Sequence, residues 1–387
     1  MLIYTMDSKR AGQYISQAEG YKAFIPNPLP PNPPLNIDSE TIEILSKADT
    51  AIGRLSGMSE SLPNPDLFVA MYVRKEAVLS SQIEGTEASL EDVLEYESES
   101  RPKTLPNDVA EVVNYVKAMN YGLSRMKELP LSLRLIKEMH AELMKGVRGQ
   151  EETPGEFRKT QNWIGPKGCT LTNARFVPPP PHDMIRAMGD LEKYMHSKFG
   201  YPLLIECGLM HAQFETIHPF LDGNGRIGRL LITFFLCHEE ILKKPLLYLS
   251  HYFKVNRMEY YDRLMGVRED AGFELWIKFF LRGIKEVAEE ACQASYKIIE
   301  LRDSDRKKIA EVYKESSKAM LFHEKMFTRP IVSIKDIADL MNATFPTAND
   351  VCNKLIKLGM LKEITGKERN KLFAYKSYLD ILKSAER

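Results

Sequence analysis

Apolar residues recur at helical spacing along most of this chain. Ile42, Leu45 and Ala48, followed by Ile52 and Leu55, predict a first helix. LPNPD at 62–66 ends it. A second helix begins near Leu67, carries Val69, Val73, Ala77 and Val78, and is expected to stop at Gly85, a residue type that commonly terminates helices. Ser89 with Asp92 three positions on reads as a capping box for a third helix through Tyr96. RPKTLPND at 101–108 reads as a linker. Helices are then expected near 108–127, 132–145 and 183–198, from Leu203 to Thr216, from about Arg226 to Leu242, and through 274–325. The aromatic residues of FELWIKFFLRGI at 273–284 fit core packing rather than a cofactor box.

Three stretches break this texture. The first 35 residues end in a proline run, Pro26 to Pro34, which predicts an extended arm over a surface. From Gly146 to Pro181 glycine and proline are frequent, and NWIG (162–165) and CTLTNARFV (169–177) predict two short strands joined by a turn at Pro166–Gly168. In the last sixty residues, SIKDIADLMN (333–342) is a short amphipathic helix, and PTANDVCNKLIKLGML (346–361) a turn and second helix ended by Gly359. KEITGKERNKLFAYK (362–376) reads as a hairpin. Helix, turn, helix and two-stranded wing is the order of a winged helix. The expected fold is therefore mostly α: a helical core with a small β-hairpin flap and a C-terminal winged-helix domain. The expected division is an N-terminal helical region over 1–105, a core over 106–290, and a connecting helix with the winged helix over 291–387.

Composition narrows the class. The 387 residues carry 53 Lys+Arg and 53 Asp+Glu, a formal net charge of zero, which argues against a chain built mainly to coat nucleic acid. The longest apolar run, Leu230 to Cys237, is far short of the roughly 20 residues of a membrane helix. The first fourteen residues hold no apolar stretch long enough for a secretory signal. Five scattered cysteines with no CxxC pair give neither a disulfide framework nor a zinc ribbon. A cytoplasmic protein without a membrane partner is expected.

The chemistry concentrates in His218-Pro-Phe-Leu-Asp-Gly-Asn-Gly-Arg-Ile-Gly-Arg229. Two glycines in three residues let a ligand approach the backbone, and the loop feeds a helix N-terminus, where N–H groups and the helix dipole favour an anion. Arg226 and Arg229, three apart, share one face of the first turn. A glycine loop, two arginines and a helix start make a cradle for a polyphosphate. Asp222 offers Mg²⁺ a hard oxygen beside those phosphates, and His218 an imidazole suited to taking a proton from a hydroxyl. Gly223 to Gly228 also matches GxGxxG, but no strand precedes it and no βαβ alternation follows, so the dinucleotide reading fails. A plain tight turn over 222–225 is the remaining alternative. No HExxH and no GxxxxGK[ST] occurs.

HPFLDGNGRIGR resembles the Fic family pattern HxFx(D/E)GNGRxxR at every specified position, and the resemblance extends from about 67 to 282. PGEFRKTQNWIG (154–165) is similar to the segment before and within the family's flap, which would place Asn162, Trp163, Ile164 and Gly165 there. YFKVNRMEYYDRL (252–264) is similar to its helix beyond the nucleotide pocket. The resemblance implies transfer of AMP from ATP to a Ser, Thr or Tyr hydroxyl of a protein. It implies His218 as general base, Asp222 as Mg²⁺ ligand, Gly223, Asn224 and Gly225 as anion-hole backbone, and Arg226 and Arg229 as phosphate ligands. Phe220 would anchor the loop and Tyr260 would lie near the adenine. Gly225 is retained where the Doc-like, phosphate-transferring branch has lysine, which favours AMP transfer.

Ser80-Ser-Gln-Ile-Glu84-Gly85 fits (S/T)xxxE(G/N), the family's inhibitory helix, and implies an ion pair from Glu84 to Arg229. A carboxylate in the last turn of a helix meets the negative end of the dipole, at a cost of about 0.3–1 kcal/mol that a cation would offset. The plain alternative is a solvated surface glutamate. The C-terminal module suits protein docking or a purely structural role better than DNA, since 347–358 carries only Lys354 and Lys357 against Asp350. The expectation is thus an autoinhibited protein adenylyltransferase using ATP and Mg²⁺ on a target protein. A homodimer is compatible with it. Removal of AMP from a modified protein, with Glu84 orienting a water, and a DNA-binding regulator with a nucleotide-sensing core stand as alternatives.

Overall fold

Where an extended arm was expected, the chain begins with a hairpin. The computed structural model describes residues 8–61, 65–97, 106–166, 168–313, 317–366 and 369–384. β1 (Gly12–Ser16) pairs antiparallel with β2 (Lys22–Pro26), in a register that sets Tyr14 opposite Phe24. Phe24 is buried against Phe176, and its N–H donates to the Val177 carbonyl at 2.9 Å. The proline run follows as irregular chain, tied by Leu35 N to Tyr201 and by Asn36 N to Glu274. The arm thus holds after Pro26, while the residues before it pair because Phe24 has a buried place to go.

Among the described residues twelve α-helices follow, the first eleven of which build the body: α1 (Ser39–Ser61), α2 (Pro65–Ile83), α3 (Leu90–Glu97), α4 (Asn107–Arg125), α5 (Leu133–Leu143), α6 (Pro181–Met195), α7 (Leu203–Ile217), α8 (Asn224–His238), α9 (Ser250–Val255), α10 (Arg257–Asp270), α11 (Phe273–Tyr313) and α12 (Ser317–Met326). α2 stops where Gly85 turns at φ +97°, a left-handed conformation open to glycine. α3 carries the expected box: Ser89 Oγ accepts from Asp92 N, and Asp92 Oδ2 from Ser89 N. The loop at 62–66 and the linker at 101–108 lie partly outside the described residues. Ile42 belongs to α1 but faces solvent, and Thr41, Ala48, Ile52 and Leu55 form its buried side.

α7 is apolar all round and buried from Leu204 to Ile217, as a helix of that pattern must be. It is the centre of the body, flanked by α6, α8, α10 and α11. α11 is 41 residues long, roughly 60 Å at 1.5 Å per residue, and runs unbroken through residue 290. It packs along α1 and carries the body into the C-terminal module.

That module consists of α12, β3 (Ile331–Ser333), α13 (Ile334–Met341), α14 (Phe345–Lys357), β4 (Lys362–Glu363), β5 (Leu372–Ala374) and α15 (Lys376–Ser384). The sheet order is β3-β5-β4, antiparallel throughout. β3 and α15 were not expected from the sequence. Lys75 of α2 donates to the Leu382 carbonyl of α15 at 2.9 Å, and Arg329 to the Glu97 carbonyl of α3, so the module rests on the helices that precede the core. Among the described residues no helix is long and apolar enough to cross a membrane.

Candidate active site

The loop 218–223 joins α7 to α8, and its shape is over-determined. His218 ends α7 in the left-handed region, at φ +51°. A non-glycine residue there is strained and needs holding. Its carbonyl accepts from Arg158 Nε at 3.0 Å and from Asn162 Nδ2 at 3.1 Å, and Asn162 also donates to the Phe220 carbonyl. Asn224 closes the loop with a reciprocal pair: Oδ1 accepts from Phe220 N and Nδ2 donates to Phe220 O, both at 2.8 Å. Phe220 is fully buried and stacks on His140 at 3.8 Å. His140 Nδ1 accepts from Gly155 N, so its Nε2 carries the proton donated to the Asp222 carbonyl at 3.0 Å. Burial holds His140 neutral, with its pKa down at about 4.

The loop opens onto a cavity of about 520 Å³. The cavity is lined by His218, Gly225 and Arg229, by Tyr260 and Tyr261, and by Trp163, Ile164 and Gly165. Burial, with the charges of Arg268 and Arg158 adding, pulls the His218 pKa down to about 3, so the imidazole is neutral across the ordinary pH range. Its Nδ1 faces the Glu215 carbonyl at 3.4 Å.

Arg229 is 2% exposed and is held from α2 at three points. Nε donates to Ser80 Oγ at 2.8 Å, and Nη2 donates to Ser80 O at 3.0 Å and to Glu84 Oε1 at 2.7 Å. Burial alone would raise the Glu84 carboxyl, but the Arg229 guanidinium outweighs it and the net shift is downward. Glu84 itself lies just beyond Ile83, the last residue of α2, rather than within the helix. A Cβ built on Gly225 would run into Glu84 Oε1, so this carboxylate stands directly over the first turn of α8. That is where an anion would sit, because the first N–H groups of a helix have no intrahelical acceptor. Gly85 supplies the turn after it.

Several expected residues stand elsewhere. Arg226 does not line the cavity: it is buried beneath the loop, with Nη1 on Glu111 Oε2 at 3.2 Å and Nη2 3.6 Å from Asp222 Oδ1. Asn224 and Asn162 spend their side chains on the loop's own backbone. Tyr260 lines the cavity by its ring, but it is 1% exposed and its hydroxyl is engaged with His211 Nε2 at 2.9 Å. The flap is less regular than two strands. Among the described residues only Ile164 and Phe176 bridge, by reciprocal backbone bonds, and Asn173 Oδ1 draws Thr170 N and Oγ1 into a local turn that competes with a ladder.

Asp222 Oδ1 accepts from Gly223 N at 2.6 Å, and the side chain is 39% exposed. Mg²⁺ commonly takes one or two carboxylates and completes its shell with water and substrate phosphate, so a single partly exposed carboxylate beside an anion cradle fits that ion. No cluster of three or more acidic, His or Cys ligands occurs among the described residues.

Three residues of the site escaped sequence reading. Arg158 sits 60 positions before His218 and braces its carbonyl. Arg268 of α10 donates to the Glu215 carbonyl at 2.9 Å and to Thr216 Oγ1, a cation at the C-terminal end of α7, where the dipole favours it. Glu215 is buried beside His218, with Oε2 4.0 Å from Nδ1.

Two family descriptions match the chain: Fic/DOC family N-terminal over 42–124, and Fic/DOC family over 130–236. These residues form a Fic N-terminal region and a Fic domain. A probable protein adenylyltransferase of Aquifex aeolicus is 29% identical over 181 residues, 45% of this chain and 51% of that protein. Protein adenylyltransferase Fic of Drosophila grimshawi is 33% identical over 126 residues, 32% of this chain and 24% of that one. The matched segment spans about half the length of the first of these relatives and about a quarter of the second. The crystal structure of a Fic family protein from Desulfovibrio desulfuricans G20 superposes with a TM-score of 0.58 at 19% identity, covering 88% of this chain and 97% of that one, which shows a shared fold.

Proposed function

We propose that this Fic protein transfers AMP from ATP to a Ser, Thr or Tyr hydroxyl of a target protein, itself included, with release of pyrophosphate, and that Glu84 holds the reaction low. The observation that carries this reading is one cavity lined by a neutral His218, the first turn of α8 and Arg229. Its curated relatives are named protein adenylyltransferases.

In this reading the phosphates enter over Gly223, Asn224 and Gly225, whose backbone N–H groups and helix dipole take the negative charge. Arg229 receives the γ-phosphate once Glu84 leaves. Arg226 contributes charge from below the loop and keeps its shape through Glu111. Asp222 would hold Mg²⁺, which supplies charge neutralisation as pyrophosphate departs. His218 takes the proton of the attacking hydroxyl on Nε2. The negative phosphates beside it favour the imidazolium that forms, countering Arg268 and Arg158, which depress its pKa. Trp163, Ile164 and Gly165 line the cavity where the target segment would lie.

For the C-terminal module we favour a winged helix that docks protein. Lys354 of α14 is tied to Asp350 at 2.8 Å, and Phe345 and Ile356 are exposed on the same helix, a poor surface for phosphates. The test is incubation of wild type and Glu84→Gly with ATP labelled in the α-phosphate and a cell lysate. Label on protein in the Glu84→Gly reaction supports the reading. Label lost from pre-modified protein, with none gained, would replace transfer by AMP removal. Salt-sensitive binding to duplex DNA would restore the regulator alternative.

A further inference from the structure

Glu215 lies one helical turn before His218, 6% exposed, in the wall of the cavity. Its Oε1 is buried without a hydrogen-bond partner, and an unsatisfied buried carboxyl oxygen is costly to maintain. α8 makes room for it: a Cβ on Gly228 would run into Oε1 and lie 3.2 Å from the Phe214 ring. The third glycine of the motif therefore serves the carboxyl of Glu215 rather than a phosphate.

The charged groups around Glu215 are otherwise occupied. Arg229 of α8 is spent on Ser80 and Glu84. Arg268 of α10 is spent on the Glu215 carbonyl and Thr216, not on the carboxyl. Tyr260 of α10 gives its hydroxyl to His211. Glu84, from the end of α2, repels. Arg158 binds the His218 carbonyl. His218 Nδ1 faces the Glu215 carbonyl at a long 3.4 Å and lies 4.0 Å from Oε2, a separation of the kind that tightens when a catalytic complex forms.

We propose that Glu215 is a positioning residue for His218: its carboxylate receives the Nδ1–H, keeps Nε2 turned to the attacking hydroxyl, and stabilises the imidazolium. This rests on the reading of His218 as general base. The hydroxyl proton passes to Nε2 as the oxygen bonds to the α-phosphorus and the bond to pyrophosphate breaks. The Nδ1 proton stays on the ring, shared with Glu215, and the Nε2 proton is later lost to solvent. Burial pushes the Glu215 carboxyl up to about 7, while His218 is neutral far below that. A rate limb near neutrality would then report Glu215 and not the base.

The test compares Glu84→Gly with Glu84→Gly/Glu215→Gln and Glu84→Gly/Glu215→Ala. Self-modification rates are followed from pH 5 to 9, with MgATP affinity and melting temperature alongside. Expected is a parent rate rising with pH through one limb at or below about 7. The Gln variant, equal in volume, should be about tenfold slower at pH 8, a fraction of the worth of a positioned base. It should lack the limb and bind MgATP within twofold of the parent. A Gln variant with the parent's rate and limb overturns the proposal, as does a loss of MgATP affinity in step with rate, which would make Glu215 a nucleotide ligand. A silent parent sinks the transferase reading alone. The imidazole ¹⁵N shifts of His218 in nucleotide-free protein then decide the inference. They should respond to an ionisation near 7 in wild type and not in Glu215→Gln, and no response in wild type overturns it.

Discussion

Glu84 Oε1 and Arg229 Nη2 meet at 2.7 Å, with the guanidinium 1% and the carboxylate 34% exposed. The two ends of this contact are unequal. Arg229 is also fixed by Ser80 Oγ and Ser80 O, whereas the Glu84 carboxylate can leave through the cavity that it lines. Losing Glu84 leaves a preformed, still-anchored arginine. Losing Arg229 leaves a half-buried carboxylate over the helix N-terminus.

The first prediction follows from that asymmetry. Glu84→Gly should raise AMP incorporation into the protein itself, because the first turn of α8 and one edge of Arg229 are freed together. Arg229→Ala should not raise it, because the phosphate contact goes with the inhibitor's anchor. Positioning of reacting groups is worth several kcal/mol, about tenfold or more in rate even for a partial misplacement. Labelled-AMP incorporation in both variants, with melting temperatures, checks this. A well-folded Glu84→Gly protein no faster than wild type would sink the inhibitory role.

Among the described residues the His218 side chain makes its polar approach through Nδ1, toward Glu215. Its ring therefore adds little to the fold, while its carbonyl, which any residue supplies, does the bracing. His218→Ala in the Glu84→Gly background should lose about 10²–10⁴-fold in transfer rate and keep nucleotide affinity. Single-turnover rates beside ATP titrations make the comparison, and full activity in that variant would remove the base assignment.

A careful substitution can separate the contact that Asp222 makes from its proposed metal role. Oδ1 caps Gly223 N, and the side chain offers an anionic oxygen for Mg²⁺. Asp222→Asn keeps an acceptor for the cap and loses the charge. It should melt close to wild type and yet lose transfer, as the intact enzyme should on adding EDTA. Transfer undiminished by EDTA would be incompatible with a metal role.

Legibility in the sequence followed distance along the chain. The loop 218–229 and the Ser80–Glu84–Gly85 pattern are contiguous, so spacing alone brings their residues together. Arg158 and Glu111 reach the same loop from 60 and 115 positions away, and Arg268 reaches Thr216 at the end of α7 from 52, through hydrogen bonds that leave no periodic mark. Arg226 shows the converse. Its spacing from Arg229 was correct for one helix face, but the Glu111 carboxylate on α4 draws it under the loop. β3 is three residues and β1 only five, too short for alternation to be read. Phe24 needed Phe176 before its strand could be understood.

The final prediction concerns Glu76, which ties α2 to the body behind Arg229. Its carboxyl accepts from Tyr115 of α4 at 3.2 Å, from Ser250 N at 3.2 Å and from the Ser250 hydroxyl. It is 3% exposed, and burial pushes its pKa up to about 7. In the unfolded chain a glutamate loses its proton near 4.5. Between those values the native state binds the extra proton, so stability falls as pH rises from about 4.5 to about 7, and the loss is complete above that range. The upper bound of this effect is about 3 kcal/mol. The buried histidines act with the opposite sign. His140, His211, His218, His251 and His323 are held neutral by burial, so their contribution is lost as pH falls from about 6.5 toward 4 and below. A single wild-type profile would mix the two slopes, but a difference between variants does not. Glu76→Gln cannot ionise and should melt closer to wild type, or above it, as pH rises from 5 to 8. A wild-type minus Glu76→Gln difference that stays flat across that range would show that Glu76 ionises in the folded protein as an ordinary carboxylate does.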